Sequence, residues 1–179
     1  MTRYAALLRA VNVSGQNRLD MASLRDRLAG LGLDDVETYL QSGNAVFTAS
    51  GSSASALADV IRAELRRGLR LDVVVLVRSA AHLQRTATSN PFLRGRRDPK
   101  SLHVTFLAEP PTRGAVRALE ARPATGDEFR VAGRDVFLAC PGGYGRTKLT
   151  NALFERVLGV AATTRNWATV VALRDLTRR

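Results

Sequence analysis

Apolar residues crowd the stretch 4–13, and Asn12, Ser14, Gly15, Gln16 and Asn17 around its end have loop composition. A strand followed by a loop is predicted there. Met21, Leu24, Leu28 and Leu31 then recur at helical spacing, with Asp20 placed as N-cap and Gly32 as C-terminal stop, so an amphipathic helix follows. Residues 36–40 and 45–48 read as two short strands around Gln41-Ser42-Gly43-Asn44, whose Ser-Gly-Asn suits a tight hairpin. A second helix is predicted on Leu57, Val60, Ile61 and Leu65, after a Gly/Ser-rich loop at 50–55, and the β-branched run 71–77 has the pattern of a buried strand. The order is β-α-β-β-α-β.

A helix near 80–88 and the turn Asn90-Pro91-Phe92 come next, and then the grammar restarts. A strand at 102–107 precedes a helix on Val116 and Leu119, and hairpin strands at 128–131 and 135–139 flank Ala132-Gly133-Arg134. The Gly-rich loop Pro141-Gly142-Gly143-Tyr144-Gly145 leads to a helix on Leu149, Leu153, Val157 and Leu158, a short strand at 160–163 and a last helix on Trp167, Val170 and Val171. The fold class is therefore α+β: two ferredoxin-like βαββαβ subdomains in tandem, residues 1–78 and 102–179, joined by a helical linker and basic loop at 79–101, with a C-terminal helix. Element order carries the repeat, because no strong residue identity links the two copies.

Several strings are distinctive: residues 6–13 (Ala-Leu-Leu-Arg-Ala-Val-Asn-Val), 38–44 (Thr-Tyr-Leu-Gln-Ser-Gly-Asn), Asn90-Pro91-Phe92, 103–107 (His-Val-Thr-Phe-Leu) and 162–167 (Ala-Thr-Thr-Arg-Asn-Trp). In this ordered set the chain resembles, nearly end to end, a bacterial family classed as a domain of unknown function, DUF1697. The resemblance implies a tandem of two ferredoxin-like subdomains and supplies no activity. One departure is visible, since the family's first loop usually carries a lysine where this chain has Gln16.

Charge changes the picture next. The 179 residues carry 27 Lys and Arg against 16 Asp and Glu, a formal charge of +11, which raises nucleic acid or an anionic membrane as partners. Only Lys100 and Lys148 are lysines, and such an arginine skew also arises from genomic base composition. The excess is uneven, +3 over residues 1–90 and +8 over 91–179, and the densest run is Arg94-Gly95-Arg96-Arg97. No apolar run is long enough to span a bilayer, Arg9 interrupts the N-terminal apolar stretch too early for a secretory leader, and the lone Cys140 fits a reducing compartment. A cytoplasmic protein without membrane association is expected. With only His82 and His103 beside Cys140, no metal-ligand spacing can be written, and no cofactor motif occurs, so neither metal nor cofactor is expected.

Topology then gathers polar residues at two places. In the first repeat, strands one and two run parallel, which sets Asn12, Gly15, Gln16, Asn17 and Arg18 near Gln41, Ser42 and Asn44; turn chemistry is the competing reading of this rim. In the second repeat, the third and fourth strands end together, so Gly143, Gly145, Arg146, Thr147 and Lys148 should neighbour Thr164, Arg165 and Asn166. Two helix starts and three cations there are ingredients of an anion site for phosphate or carboxylate. Against it, Thr150 and Thr164 also suit N-caps, and Arg165 suits an ion pair. Cys140 is the one conventional nucleophile nearby, with burial as its plainer explanation. The acid pairs Asp34-Asp35 and Asp127-Glu128 fall at strand entrances, and no Gly-x-Ser-x-Gly elbow occurs.

Three function classes follow: a small anionic ligand at the second-repeat loop, nonspecific nucleic-acid binding through the arginines, or a protein-interaction module. An RNA platform would need stacking aromatics on an exposed sheet face, and the third strand lacks that pattern.

Overall fold

A computed structural model of the protein describes residues 1–13, 17–94, 97–123 and 126–179. The chain divides into two compact units, Met1–Arg85 with Ala172–Arg179, and Thr86–Val171. The first contains β1 (Thr2–Leu8), α1 (Met21–Gly30), β2 (Asp34–Tyr39), β3 (Asn44–Ala49), α2 (Ala54–Leu69) and β4 (Val75–Ser79), after which α3 spans Ala80–Ser89. The second contains β5 (Leu102–Leu107), α4 (Arg113–Glu120), β6 (Glu128–Ala132), β7 (Asp135–Ala139), α5 (Asn151–Leu158) and β8 (Ala162–Asn166), and α6 spans Trp167–Leu176. Each unit has a four-stranded sheet, in the orders β2-β3-β1-β4 and β6-β7-β5-β8, with every neighbouring pair antiparallel. Both orders fit ferredoxin-like subdomains.

Local chemistry starts the helices where it is expected. Asp20 accepts the Ser23 amide at 2.8 Å, Ser53 the Ala56 amide at 3.2 Å, Thr112 the Ala115 amide at 3.2 Å and Thr150 the Leu153 amide at 3.2 Å. Each bond satisfies one N–H that the first helical turn leaves without an intrahelical acceptor. At the far end of α5, Gly159 adopts φ 72° and returns its amide to the Glu155 carbonyl, closing the helix in the left-handed conformation that glycine tolerates.

Alternation along the strands decides what each face packs against. In the first unit Ala6, Leu8, Phe47 and Val77 meet Leu24, Leu28, Ile61 and Leu65 of the helices. In the second, Leu107, Leu138 and Ala162 meet Leu119, Leu153, Phe154 and Leu158. All six residues of β3 and all six of β5 are buried, the polar Asn44, Thr48, His103 and Thr105 among them. The edge strands β2 and β6 are only partly covered.

Three boundaries differ from the sequence reading, each for a physical reason. The first strand, expected through Val13, stops at Leu8 because Ala10 (φ 54°) and Asn12 (φ 55°) turn the chain in the left-handed region. The strand expected from Leu71 begins at Val75; Leu71 and Val73 still enter the core, but from outside the ladder, where the Leu71 amide donates to the Leu65 carbonyl at the end of α2. The last strand, expected at 160–163, runs Ala162–Asn166, which puts Arg165 inside the sheet.

Candidate functional site

The rim of the first unit forms, and its amides are engaged by the turns themselves. Asn12 Nδ2 donates to the carbonyls of Leu19 (2.7 Å) and Gln41 (2.8 Å), and its Oδ1 accepts the Leu19 amide at 2.8 Å. Asn17 donates to the Ala10 carbonyl at 3.0 Å, and Asn44 to the Tyr39 carbonyl and Ser42 Oγ, both at 3.0 Å. Gly43 is at φ 73°, and a Cβ there would lie 2.8 Å from Leu8 Cβ, so the hairpin requires glycine. Gly15 and Gln16 lie outside the described residues, as do Gly95 and Arg96 of the basic run. Arg97 of that run sits 5.1 Å over the Phe92 ring and pairs with Glu128 at 2.8 Å.

In the second unit the Gly-rich loop and β8 do meet, through Tyr144. Its ring stacks on His103 with centroids 4.7 Å apart, and its hydroxyl bonds Thr164. Thr164 also bonds Thr105 and Asn151, both at 2.7 Å. Register places Thr105 opposite Thr164 and Val104 opposite Arg165. Because successive side chains of a strand alternate, Arg165 projects from the face opposite to Thr164 and its loop partners. Arg165 is 8% exposed and donates to Thr163 Oγ1 and the Thr164 carbonyl, both at 2.9 Å. Burial drives its pKa down to about 10. Asn166 caps α6, accepting the Thr169 amide at 2.8 Å. Within the loop, the amides of Gly143, Arg146 and Thr147 donate to the carbonyls of Cys140, Gly143 and Tyr144, while Gly145 and Arg146 are exposed. Arg146 and Lys148 thus remain at the surface, and Arg165 does not join them.

Burial also sets the protonation of the neighbouring groups. It pushes the Cys140 thiol up, an effect that the Thr147 hydroxyl partly offsets, so this fully buried sulfur is held neutral. Burial likewise raises the Tyr144 phenol and lowers His103. Of the aromatic residues of the central strands, Phe47, Phe106 and Phe137 are at most 1% exposed and cannot stack on bases, and Tyr4 of β1 is half-buried against Phe47.

A cleft in the second unit lies beside the Gly-rich loop, between the end of α4, edge strand β6 and the start of α5. It has a volume of about 730 Å³, with Leu119, Pro123, Phe129, Leu149 and Leu153 among its apolar lining. Arg122, Arg130, Lys148 and Arg156 line it as well, with Glu120, Asp127 and Glu128. Thr147 fixes two of these positions together: its hydroxyl donates to Asp127 at 2.6 Å and accepts the Leu149 amide at 3.0 Å, holding the chain on either side of Lys148. Among the described residues none of the four cations forms an ion pair; Arg130 donates to its neighbour's carbonyl, that of Phe129, at 2.8 Å.

The first unit has a cleft at the corresponding place, between the end of α1, β2 and the start of α2. It is about 380 Å³, and Asp34 is the one charged residue in its lining, beside Leu31, Leu33, Ser50, Ser52 and Val60. The fold therefore does not demand cations at this location. Of the cleft residues, the sequence singles out Lys148 as a candidate and Asp127-Glu128 as an acid pair. Arg122, Arg130 and Arg156 were missed because they come from three elements that only the packed unit brings together.

No group of three or more His, Cys, Asp and Glu residues among those described could hold a metal ion, and no described helix is long and apolar enough to cross a membrane. The fold and cleft define an α+β protein with two four-stranded antiparallel sheets, whose two clefts differ in their charged lining. Residues 1–137 match the family described as "Protein of unknown function (DUF1697)", and the chain belongs to that family. Its fold is similar to that of the conserved bacterial protein SP0830 from Streptococcus pneumoniae, with a TM-score of 0.71 at 24% sequence identity over 98% of each chain. No curated protein matches it significantly.

Proposed function

We propose that the chain is a tandem of two ferredoxin-like subdomains, residues 1–78 and 102–179, of which the second binds a small anionic ligand bearing phosphate or carboxylate. The site is the cleft beside the Gly-rich loop, with Lys148 at its entrance from that loop and Arg122, Arg130 and Arg156 around it. The observation that carries this reading is the contrast between two equivalent places. One cleft has four arginine and lysine residues over an apolar floor, and the other has none at about half the volume. An apolar lining with a few uncompensated polar groups is the usual make-up of a small-molecule site, and 730 Å³ falls within the roughly 300–1,000 Å³ such sites occupy. The first turn of α5, which begins at Asn151 just after Lys148, adds partial positive charge on the same side.

Thermal unfolding of the wild type and Lys148→Glu with inorganic phosphate, pyrophosphate and citrate tests the proposal. A bound anion at 100 times Kd stabilises by about 2.7 kcal/mol, or about 5–10 °C for a chain of this size. Stabilisation that Lys148→Glu abolishes is the expected result. Equal responses of the two proteins to every anion would refute the site.

A further inference from the structure

We infer that the ligand of this cleft is a nucleoside monophosphate, a reading that rests on the anion site just proposed and names its ligand class. Three features of the lining have to be matched at once. The cations call for an anion. Glu120 and Asp127 call for hydrogen-bond donors, since neither forms an ion pair among the described residues even though four cations line the same cleft. One oxygen of Asp127 accepts from Thr147, which leaves the other for a ligand. The third feature is the apolar floor around Phe129, which calls for a flat, weakly polar body.

Simpler anions each leave one feature unused. Inorganic phosphate and sugar phosphates leave the apolar floor uncovered. Acyl and aryl carboxylates bury the floor but bring no donors to the two carboxylates, whose desolvation beneath an apolar body would then go uncompensated. A nucleoside monophosphate supplies all three: a phosphate for Lys148 and the arginines, ribose hydroxyls and base amino groups for Glu120 and Asp127, and a base ring for the floor. The cleft's 730 Å³ accommodates a ligand of this size.

Isothermal titration calorimetry of the full chain with AMP, GMP, CMP and UMP, set beside ribose 5-phosphate, the parent nucleosides and inorganic phosphate, separates the contributions. At least one nucleotide is expected to bind ten or more times tighter than ribose 5-phosphate and than its own nucleoside. The exposed Glu120 offers a variant that leaves the core intact: Glu120→Gln is expected to weaken the nucleotide several-fold while leaving inorganic phosphate bound as tightly or tighter. If ribose 5-phosphate or inorganic phosphate binds as tightly as every nucleotide and Glu120→Gln changes nothing, the nucleotide assignment is overturned and the anion site stands. If no phosphate compound binds at millimolar concentration, the nucleotide assignment is overturned, and if citrate fails to bind as well, so is the anion site.

Discussion

Thr147 is the residue whose replacement reports most directly on how the cleft is built. Its side chain is 8% exposed, and its hydroxyl makes two bonds at once, a donor bond to Asp127 at 2.6 Å and an acceptor bond from the Leu149 amide at 3.0 Å. Thr147→Val keeps the shape and removes both. A hydrogen bond to a charged group contributes about 1.5–3 kcal/mol, and the half-buried position of Asp127 argues for the lower figure. Leaving the amide of buried Leu149 without an acceptor costs about 1 kcal/mol more, at the lower end of the penalty for such groups. The expected loss is about 2.5 kcal/mol, which corresponds to a fall in Tm of roughly 5–10 °C. Thr147→Ser retains the hydroxyl and is expected to lose less than about 1 kcal/mol, the worth of one buried methyl group. Chemical denaturation of the three proteins, monitored by circular dichroism, makes the comparison. If the valine and serine variants prove equally stable, the bridge from Asp127 through Thr147 to Leu149 contributes nothing and the account of how Lys148 is positioned fails.

Other parts of the second unit give further tests. Arg165→Ala removes two 2.9 Å hydrogen bonds and a long side chain from a buried strand position, and a loss of about 3 kcal/mol is expected with anion affinity unchanged; a stable variant that no longer binds would contradict its placement away from the cleft. His103, stacked on Tyr144, has its pKa lowered by burial, so below about pH 6.5 the unfolded chain takes up a proton that the folded chain resists. Stability is therefore expected to fall as pH drops below that value, and His103→Phe, which keeps a ring on Tyr144, should flatten the slope; an unchanged pH profile would refute the assignment. Cys140 is fully buried with its thiol pushed up, so a thiol reagent such as DTNB is expected to label it only when the chain unfolds. Rapid labelling of the native protein would show the sulfur to be accessible.

Much of the fold was legible because local signals and periodicity agreed. Asp20 and Thr150 announce helix starts by the hydrogen bonds their oxygens can make, and the spacing of Leu24, Leu28, Ile61 and Leu65 marks the faces that meet the first sheet. The errors lie where conformation rather than polarity ends a strand. Ala10 is not a turn-former by type, yet its positive φ turns the chain two residues after Leu8. At β8 the polar run Thr164-Arg165-Asn166 falls beyond the strand expected at 160–163, but Thr164 finds Thr105 and Asn151 across the fold, and Arg165 finds Thr163. Those tertiary partners turn polar residues into sheet residues, and with that change Arg165 leaves the expected anion site. The cleft itself had only fragments of a signal. Lys148 and Asp127 are 21 positions apart in sequence, and one hydroxyl, that of Thr147, ties the chain on either side of Lys148 to Asp127.

The central claim is that one unit carries a ligand site and its structural counterpart does not, and amide chemical-shift mapping tests both halves in one titration. With pyrophosphate added to the isotopically labelled full chain, shifts are expected at Asp127–Arg130 and Lys148–Leu153, around the charged cleft, with the counterpart residues 31–34 and 49–57 unmoved. Shifts spread evenly over arginines of both units, or concentrated in the first, would contradict the account.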